Sequence, residues 1–242
     1  MTKFRLFIFL AAIMFLVIET NAQLQGVIEY GYTIDMHRNI PAEREDFRAM
    51  IPRYHEQKFS LVFSDKESLF KVIEDADAAM NMGRGGMRMT MRMPTSVTYV
   101  DRVKKEVLVQ QDLLGKNYLI SEPLLIGPWR VGNETMEIAG YMCLMAWKVD
   151  SITNQEITAW FTPEIGPFLG PDRYVSLPGT VLALDINNGE RVWVAREIDL
   201  QERVAAEINA PSRGERISRT EFNKLMREQT ERMRSRGMAF PF

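Results

Sequence analysis

Ile28, Tyr30, Tyr32 and Ile34 fall at every second position, with Glu29, Gly31 and Thr33 between them. Successive side chains of a strand point to opposite faces, so this spacing predicts a strand with one buried face. Phe59, Leu61 and Phe63 repeat it, and Leu69, Lys71 and Ile73 do so less cleanly. Further short strands are predicted at 98–100, 106–110, 117–120, 137–149, 156–161, 180–186 and 191–200, separated by charged or glycine-containing turns. Between the last two, Asn188-Gly189 is a strong hairpin signal because both residues tolerate positive φ. Strands this short and this regularly spaced predict a mainly β chain with one curved antiparallel sheet, a bowl or half-barrel.

Two segments break the rhythm. Pro41–Gln57 is charged, with Phe47, Met50 and Ile51 at helical spacing, and reads as a surface excursion or short helix between strands. Near the C-terminus, Ser218-Arg219-Thr220-Glu221 is a capping box. Phe222, Leu225, Met226 and Met233 follow on one narrow stripe, ending near Gly237, so a helix with little apolar surface to bury is expected.

The N-terminus has Lys3 and Arg5, an apolar run from Leu6 to Ile18, and Thr20-Asn21-Ala22 before Gln23. This is the three-part pattern of a secretory leader, with the cut expected after Ala22. The run is shorter than the ~20 residues a membrane span needs, and no cysteine follows it, so a lipoprotein is not expected. Lys3, Arg5 and Glu19 leave with the leader, a net +1, so the formal charge of −2 becomes −3. Such a charge draws the chain to neither nucleic acid nor anionic lipid. The expected division is a leader at 1–22, a β domain at 23–210 and a basic C-terminal segment at 211–242. With one cysteine, Cys143, the chain cannot form its own disulfide, and that residue reads as a small buried hydrophobe.

Catalytic motifs are scarce. His37 and His55 are the two histidines, and His55-Glu56 fails as a zincin start because Phe59 stands where the second histidine belongs. Asp185–Glu190 begins like a calcium loop, but Arg196 replaces the bidentate glutamate, leaving a hairpin. No nucleophile elbow, P-loop or dinucleotide fingerprint is present. The methionines are more distinctive: Met87, Met89, Met91 and Met93 alternate with Arg88, Thr90 and Arg92, with Met80 and Met82 close by. An apolar strand or hairpin face is the preferred reading, and a partner-contacting loop is a second. A Cu(I) site of soft thioether ligands is the alternative. No other cofactor is expected.

One ordered set of residues goes beyond periodicity: Trp129, Ile138-Ala139-Gly140-Tyr141-Met142-Cys143, Ala146, Ala159-Trp160-Phe161-Thr162, Ile165, Gly170-Pro171 and Leu177-Pro178-Gly179-Thr180-Val181-Leu182. It resembles the GLPGLI (Porph_ging) family of secreted proteins. Here the signature reads Ser176-Leu177-Pro178-Gly179-Thr180-Val181, keeping the Leu-Pro-Gly centre. The resemblance implies an exported protein with a bowl-like sheet, similar to the domain found beside some secreted glycan hydrolases, and no catalytic residues. It further implies an accessory role in the bacterial cell envelope, periplasmic or surface-associated, alongside a TonB-dependent outer-membrane receptor. Trp129, Tyr141, Trp160, Pro178 and Gly179 are the candidate binding residues. Pro178-Gly179 reads as a turn that sets φ at proline and admits positive φ at glycine.

The C-terminal segment adds a docking candidate. From Pro211 to Phe242 eight lysines and arginines face four glutamates, a local +4. A solvated helix supported by Glu228 and Arg232 at i,i+4 is the preferred reading; in the docking reading Arg227, Arg232, Arg234, Arg236, Phe240 and Phe242 offer a basic and aromatic surface to an acidic partner or membrane. The leading expectation is thus a non-enzymatic binding protein; metal handling and a hydrolase, or hydrolase accessory, acting on envelope glycan or peptide are the alternatives. A concave apolar floor would favour binding, and facing carboxylates in a cleft would favour catalysis.

Overall fold

The structure, a computed structural model, describes residues 24–38, 40–41, 43–73, 79–82, 89–92, 96–113, 115–125, 127–151, 153–200 and 207–235. The expected leader lies outside them. Strands β1 (Gly26–Asp35), β2 (Tyr54–Phe63), β3 (Glu67–Val72), β6 (Ser96–Asp101), β7 (Glu106–Leu113) and β8 (Lys116–Pro123) form one antiparallel meander. A second runs through β9 (Arg130–Ile138), β10 (Tyr141–Asp150), β11 (Gln155–Thr162), β12 (Thr180–Ile186) and β13 (Arg191–Asp199). Strand β1 pairs with both β2 and β13, joining the two meanders in one open sheet. Strand β14 (Glu215–Ser218) adds beside β8 in parallel, completing twelve strands. Among the described residues, strands β4 (Ala79–Met82) and β5 (Met89–Arg92) pair only with each other, in a hairpin between β3 and β6 in the chain.

The alternation in β1 does what period two requires: Ile28, Tyr30, Tyr32 and Ile34 are buried on the inner face. Their cross-strand partners continue the floor. One rung runs Gln57–Tyr32–Trp193–Leu184–Ala159–Ala146, and the next His55–Ile34–Arg191–Ile186–Ile157–Lys148. Phe59 stacks on Phe70 at 5.0 Å between centroids, and Tyr32 tilts against Trp193 at 4.5 Å. Register shifts at Glu29/Tyr30, Leu144/Ala146 and Trp160/Phe161 bend the sheet, because an extra unpaired residue increases local twist.

Three expectations change. The predicted strand at 137–149 is two strands, β9 and β10, turned at Ala139-Gly140 with φ of 50° and 84°. Alanine is a poor turn marker, so the run looked continuous. In the excursion the helix α1 (Glu45–Arg48) is a single turn; Met50 is exposed, while Met36, Ile40 and Ile51 anchor the segment in the core. The C-terminal stripe, expected to bury little, packs on the sheet. Helix α2 (Arg219–Ser235) buries Phe222 beside Val100, Val107, Val109, Tyr118 and Ile120, with a 5.6 Å edge contact to Tyr118. Two features set its angle. Ser218 and Glu221 close the capping box, and Arg219 donates twice to Glu122 at 3.1 and 3.0 Å.

The Asn188-Gly189 turn appears as expected, with positive φ at Asn187, Asn188 and Gly189. Asp185 Oδ1 accepts from the Gly189 amide at 2.7 Å, so the calcium-like residues serve the turn itself.

Phe222→Ala should cost about 3 to 5 kcal/mol in chemical denaturation, the usual penalty for emptying a buried aromatic site. A loss under about 1 kcal/mol would mean that α2 is not part of the core.

Candidate functional site

The inner face is already occupied. Between β11 and β12 the loop 163–179 folds across it and buries Ile165, Leu169, Tyr174, Val175 and Leu177. Polar contacts pin the loop from several sides. Thr98 donates to Asp172 at 2.8 Å, Trp129 Nε1 donates to Ser176 Oγ at 2.8 Å, and Thr180 Oγ1 donates to the Gly166 carbonyl at 2.8 Å. Tyr30, buried in the floor, donates to the Val181 carbonyl at 2.6 Å. Arg173 spans the bowl, 3.9 Å from Asp150 on β10. Burial alone would lower its pKa, but nearby Tyr174 and Asp172, with Glu122 of β8, raise it.

The signature residues belong to this plug. Leu177 is buried and Pro178 is exposed. Gly179 does not take a positive φ, which corrects the turn expectation. Its requirement is closeness: a Cβ there would stand 2.5 Å from the Thr162 carbonyl oxygen and 2.7 Å from the Phe161 ring. The five candidate binding residues do not gather into one surface. Trp129 is half-buried at the rim on Ser176, and Tyr141 is half-buried at the start of β10. Trp160 shares an outer-face rung with Gly31, and Gly179 is buried.

At the rim Lys148 stands over the Trp129 ring at 4.4 Å and the Tyr174 ring at 5.8 Å. Burial, and then neighbouring Arg173, lower its pKa. This cluster joins the plug to β10. Cys143 is fully buried, its thiol pushed up to about 11 by burial and then by Glu164. On the two inner rungs His55 Nε2, Gln57 Nε2 and Trp193 Nε1 are buried without a hydrogen-bond partner among the described residues. Burial lowers the pKa of His55.

Among the described residues, an open concavity lies on the opposite face, and a second, of about 300 Å³, lies at the rim beside Pro128, Arg130, Trp147, Lys148 and Val149. A hollow of about 390 Å³ sits over Gly31, walled by Glu29, Glu56, Lys58, Arg196 and Glu197. Its origin is local. The register shift at Glu29/Tyr30 sets Glu29 opposite Glu197 and Tyr30 opposite Ala195, leaving Arg196 as the extra residue. Glycine at 31 makes room for the Arg196 side chain, whose Nε lies 3.0 Å from where a Cβ would be. From Gly31 the same outer rung continues through Val194, Ala183, Trp160 and Met145. Trp160 is thus three strands from the hollow, about 14 Å along an apolar track. The only advance signal was Gly31 inside a strand, since such a glycine marks a bulge or a close approach. Farther along the outer face Met142, Trp147 and Val149 of β10 are exposed.

The remaining candidates are placed as follows. Met80, Met82, Met89 and Met91 lie in the β4–β5 hairpin, and Met87 and Met93 lie outside the described residues. Arg227 and Arg232 are exposed on α2, the Arg227 Nε donating to the Asn223 carbonyl at 3.3 Å. Arg234 is placed by its backbone in the same helix. Arg236, Phe240 and Phe242 lie outside the described residues.

The fold defines a class, an open curved sheet with an internally filled bowl. No protein family matches the sequence, and no curated protein does. Among solved structures the chain is similar to PNGF-II in two crystal forms. In the P21 form the TM-score is 0.53 at 12% identity, covering 84% of this chain and 33% of that one. In the C2 form it is 0.52 at 14% identity, covering 84% and 32%. The chain spans about a third of PNGF-II, and at that identity the likeness is one of fold.

Two outcomes test these placements. Gly179→Val should destabilise the protein by more than about 3 kcal/mol, since the obstruction is backbone rather than a movable side chain; unchanged denaturation would remove the close-packing role. His55 has a folded pKa below its unfolded value of 6.5. It therefore contributes stability above pH 6.5 that is lost as pH falls from there towards the folded pKa. His55→Phe should flatten the stability profile in that window, and an identical profile would mean that His55 is not the group titrating.

Proposed function

We propose that this chain is an exported, non-enzymatic binding protein of the bacterial cell envelope that holds an extended, charged segment of a partner protein in the outer-face hollow. The observation that carries the reading is the hollow over Gly31, with charges of both signs at its walls and an apolar track leading to Trp160. A peptide offers the matching chemistry, because its own alternating side chains present charged and apolar groups at strand spacing. Glu29, Glu56 and Glu197 share the walls with Lys58 and Arg196, so the hollow offers both signs of charge to a partner segment. The leader pattern supports export. The GLPGLI resemblance supports an accessory role, with a TonB-dependent outer-membrane receptor as the partner it implies.

A photo-crosslinking residue at position 58, introduced in the producing cells, should capture one envelope protein, identified by mass spectrometry as such a receptor. Arg196→Glu should reduce that crosslink at least about tenfold, as expected for loss of a charged contact at a binding centre. The same crosslinker at Val103, which is 70% exposed, serves as the control. Equal capture from both positions, or none from position 58, would defeat the proposal.

A further inference from the structure

The hairpin between β3 and β6 has a register that the sequence alone did not supply. Ala79 pairs with Arg92, Met80 with Met91, Asn81 with Thr90 and Met82 with Met89. Directly opposed residues share a face in an antiparallel pair, and so do residues two apart on one strand. Met80, Met82, Met89 and Met91 therefore occupy one face of the ribbon, and Ala79, Asn81, Thr90 and Arg92 the other. The expected apolar face, read as a strand or hairpin, takes the form of a ribbon that sets methionine against methionine on two rungs with Asn81 opposite Thr90 between them.

That juxtaposition has a chemical consequence. Opposed Cβ atoms in such a ribbon are about 4.5 to 5.5 Å apart and diagonal neighbours roughly 7 to 8 Å. Methionine is unbranched, with three rotatable bonds and a polarisable thioether. Thioethers are soft donors that suit Cu(I) and are poor ligands for Mg²⁺ or Ca²⁺. Among the described residues no group of three or more His, Cys, Asp or Glu is placed to hold a metal. We propose that the methionine-paired face of β4–β5 is a binding site for a soft monovalent cation, Cu(I), independent of the hollow over Gly31. An isolated two-stranded hairpin is marginal in water, and an ion shared by both strands would tie them together.

Leucine separates this reading from a purely apolar face, because it keeps the hydrophobic bulk and deletes the sulfur. The full-length protein is titrated anaerobically with Cu(I) against a chromophoric chelator. It is also titrated with redox-inert Ag(I) while the methionine ε-methyl groups are followed by NMR. The native protein should bind about one ion per chain, with ε-methyl signals of the ribbon shifting together. A variant carrying Met80→Leu, Met82→Leu, Met89→Leu and Met91→Leu should bind at least about tenfold more weakly, while Met87→Leu with Met93→Leu retains binding. The proposal fails if the native protein does not compete with the chelator, if its methyl signals do not move with Ag(I), or if the fourfold variant binds as tightly as the native chain. The NMR result on the native protein decides the matter should the variant not fold.

Discussion

Everything in this fold depends on the pairing of β1 with β13. Each meander alone would be an open sheet with a long free edge; β1, hydrogen-bonded on both sides, merges them. The ladder runs from Val27 opposite Asp199 to Ile34 opposite Arg191. Contacts so distant in sequence bear the loop-closure cost of the chain between them before they contribute, so their stabilisation must come from burial. Tyr30, Tyr32 and Trp193 supply it on the inner face, each at most 8% exposed. The same ladder carries the register shift that places Arg196 over Gly31, so the seam of the fold also shapes its open hollow.

Curvature follows from where the bulges fall and from what fills the bowl. A bent sheet of this size exposes a concave apolar face, which must be covered by a ligand, a partner or the chain itself. Here the loop 163–179 covers it, locked by Thr98, Trp129 and Arg173. The Leu-Pro-Gly residues that carry the family resemblance consequently act in packing: Leu177 is a buried anchor and Gly179 permits backbone to approach backbone. Residues at this place close the bowl and leave recognition to other surfaces.

Filling the inside moves the available chemistry outside. The hollow over Gly31 and the exposed apolar side chains of β10 lie on the face away from the plugged floor. Helix α2 is tied down at its N-terminal end by Phe222 and the Arg219–Glu122 pair, while Arg227 and Arg232 farther along it stay in solvent.

Local chemistry in the sequence determined a great deal: the period-two strands, the Asn188-Gly189 hairpin, the Ser218–Glu221 cap, the buried state of Cys143 and the mainly β class. The hairpin and the cap rest on interactions within a few residues of chain, and the others on the residue pattern of short segments. The break at Ala139-Gly140 was illegible because alanine carries no turn preference, and the hollow was illegible because Glu29, Lys58 and Arg196 are scattered in sequence. Alternation says which residues share a face, yet not which face becomes the inside or which strand lies alongside. Only the tertiary structure decided that β1 sits beside β13, that the signature loop fills the bowl, and that Met80 faces Met91 across a ribbon. Those outcomes depend on pairing energies summed over strands far apart in the chain, and no local run of residues encodes them.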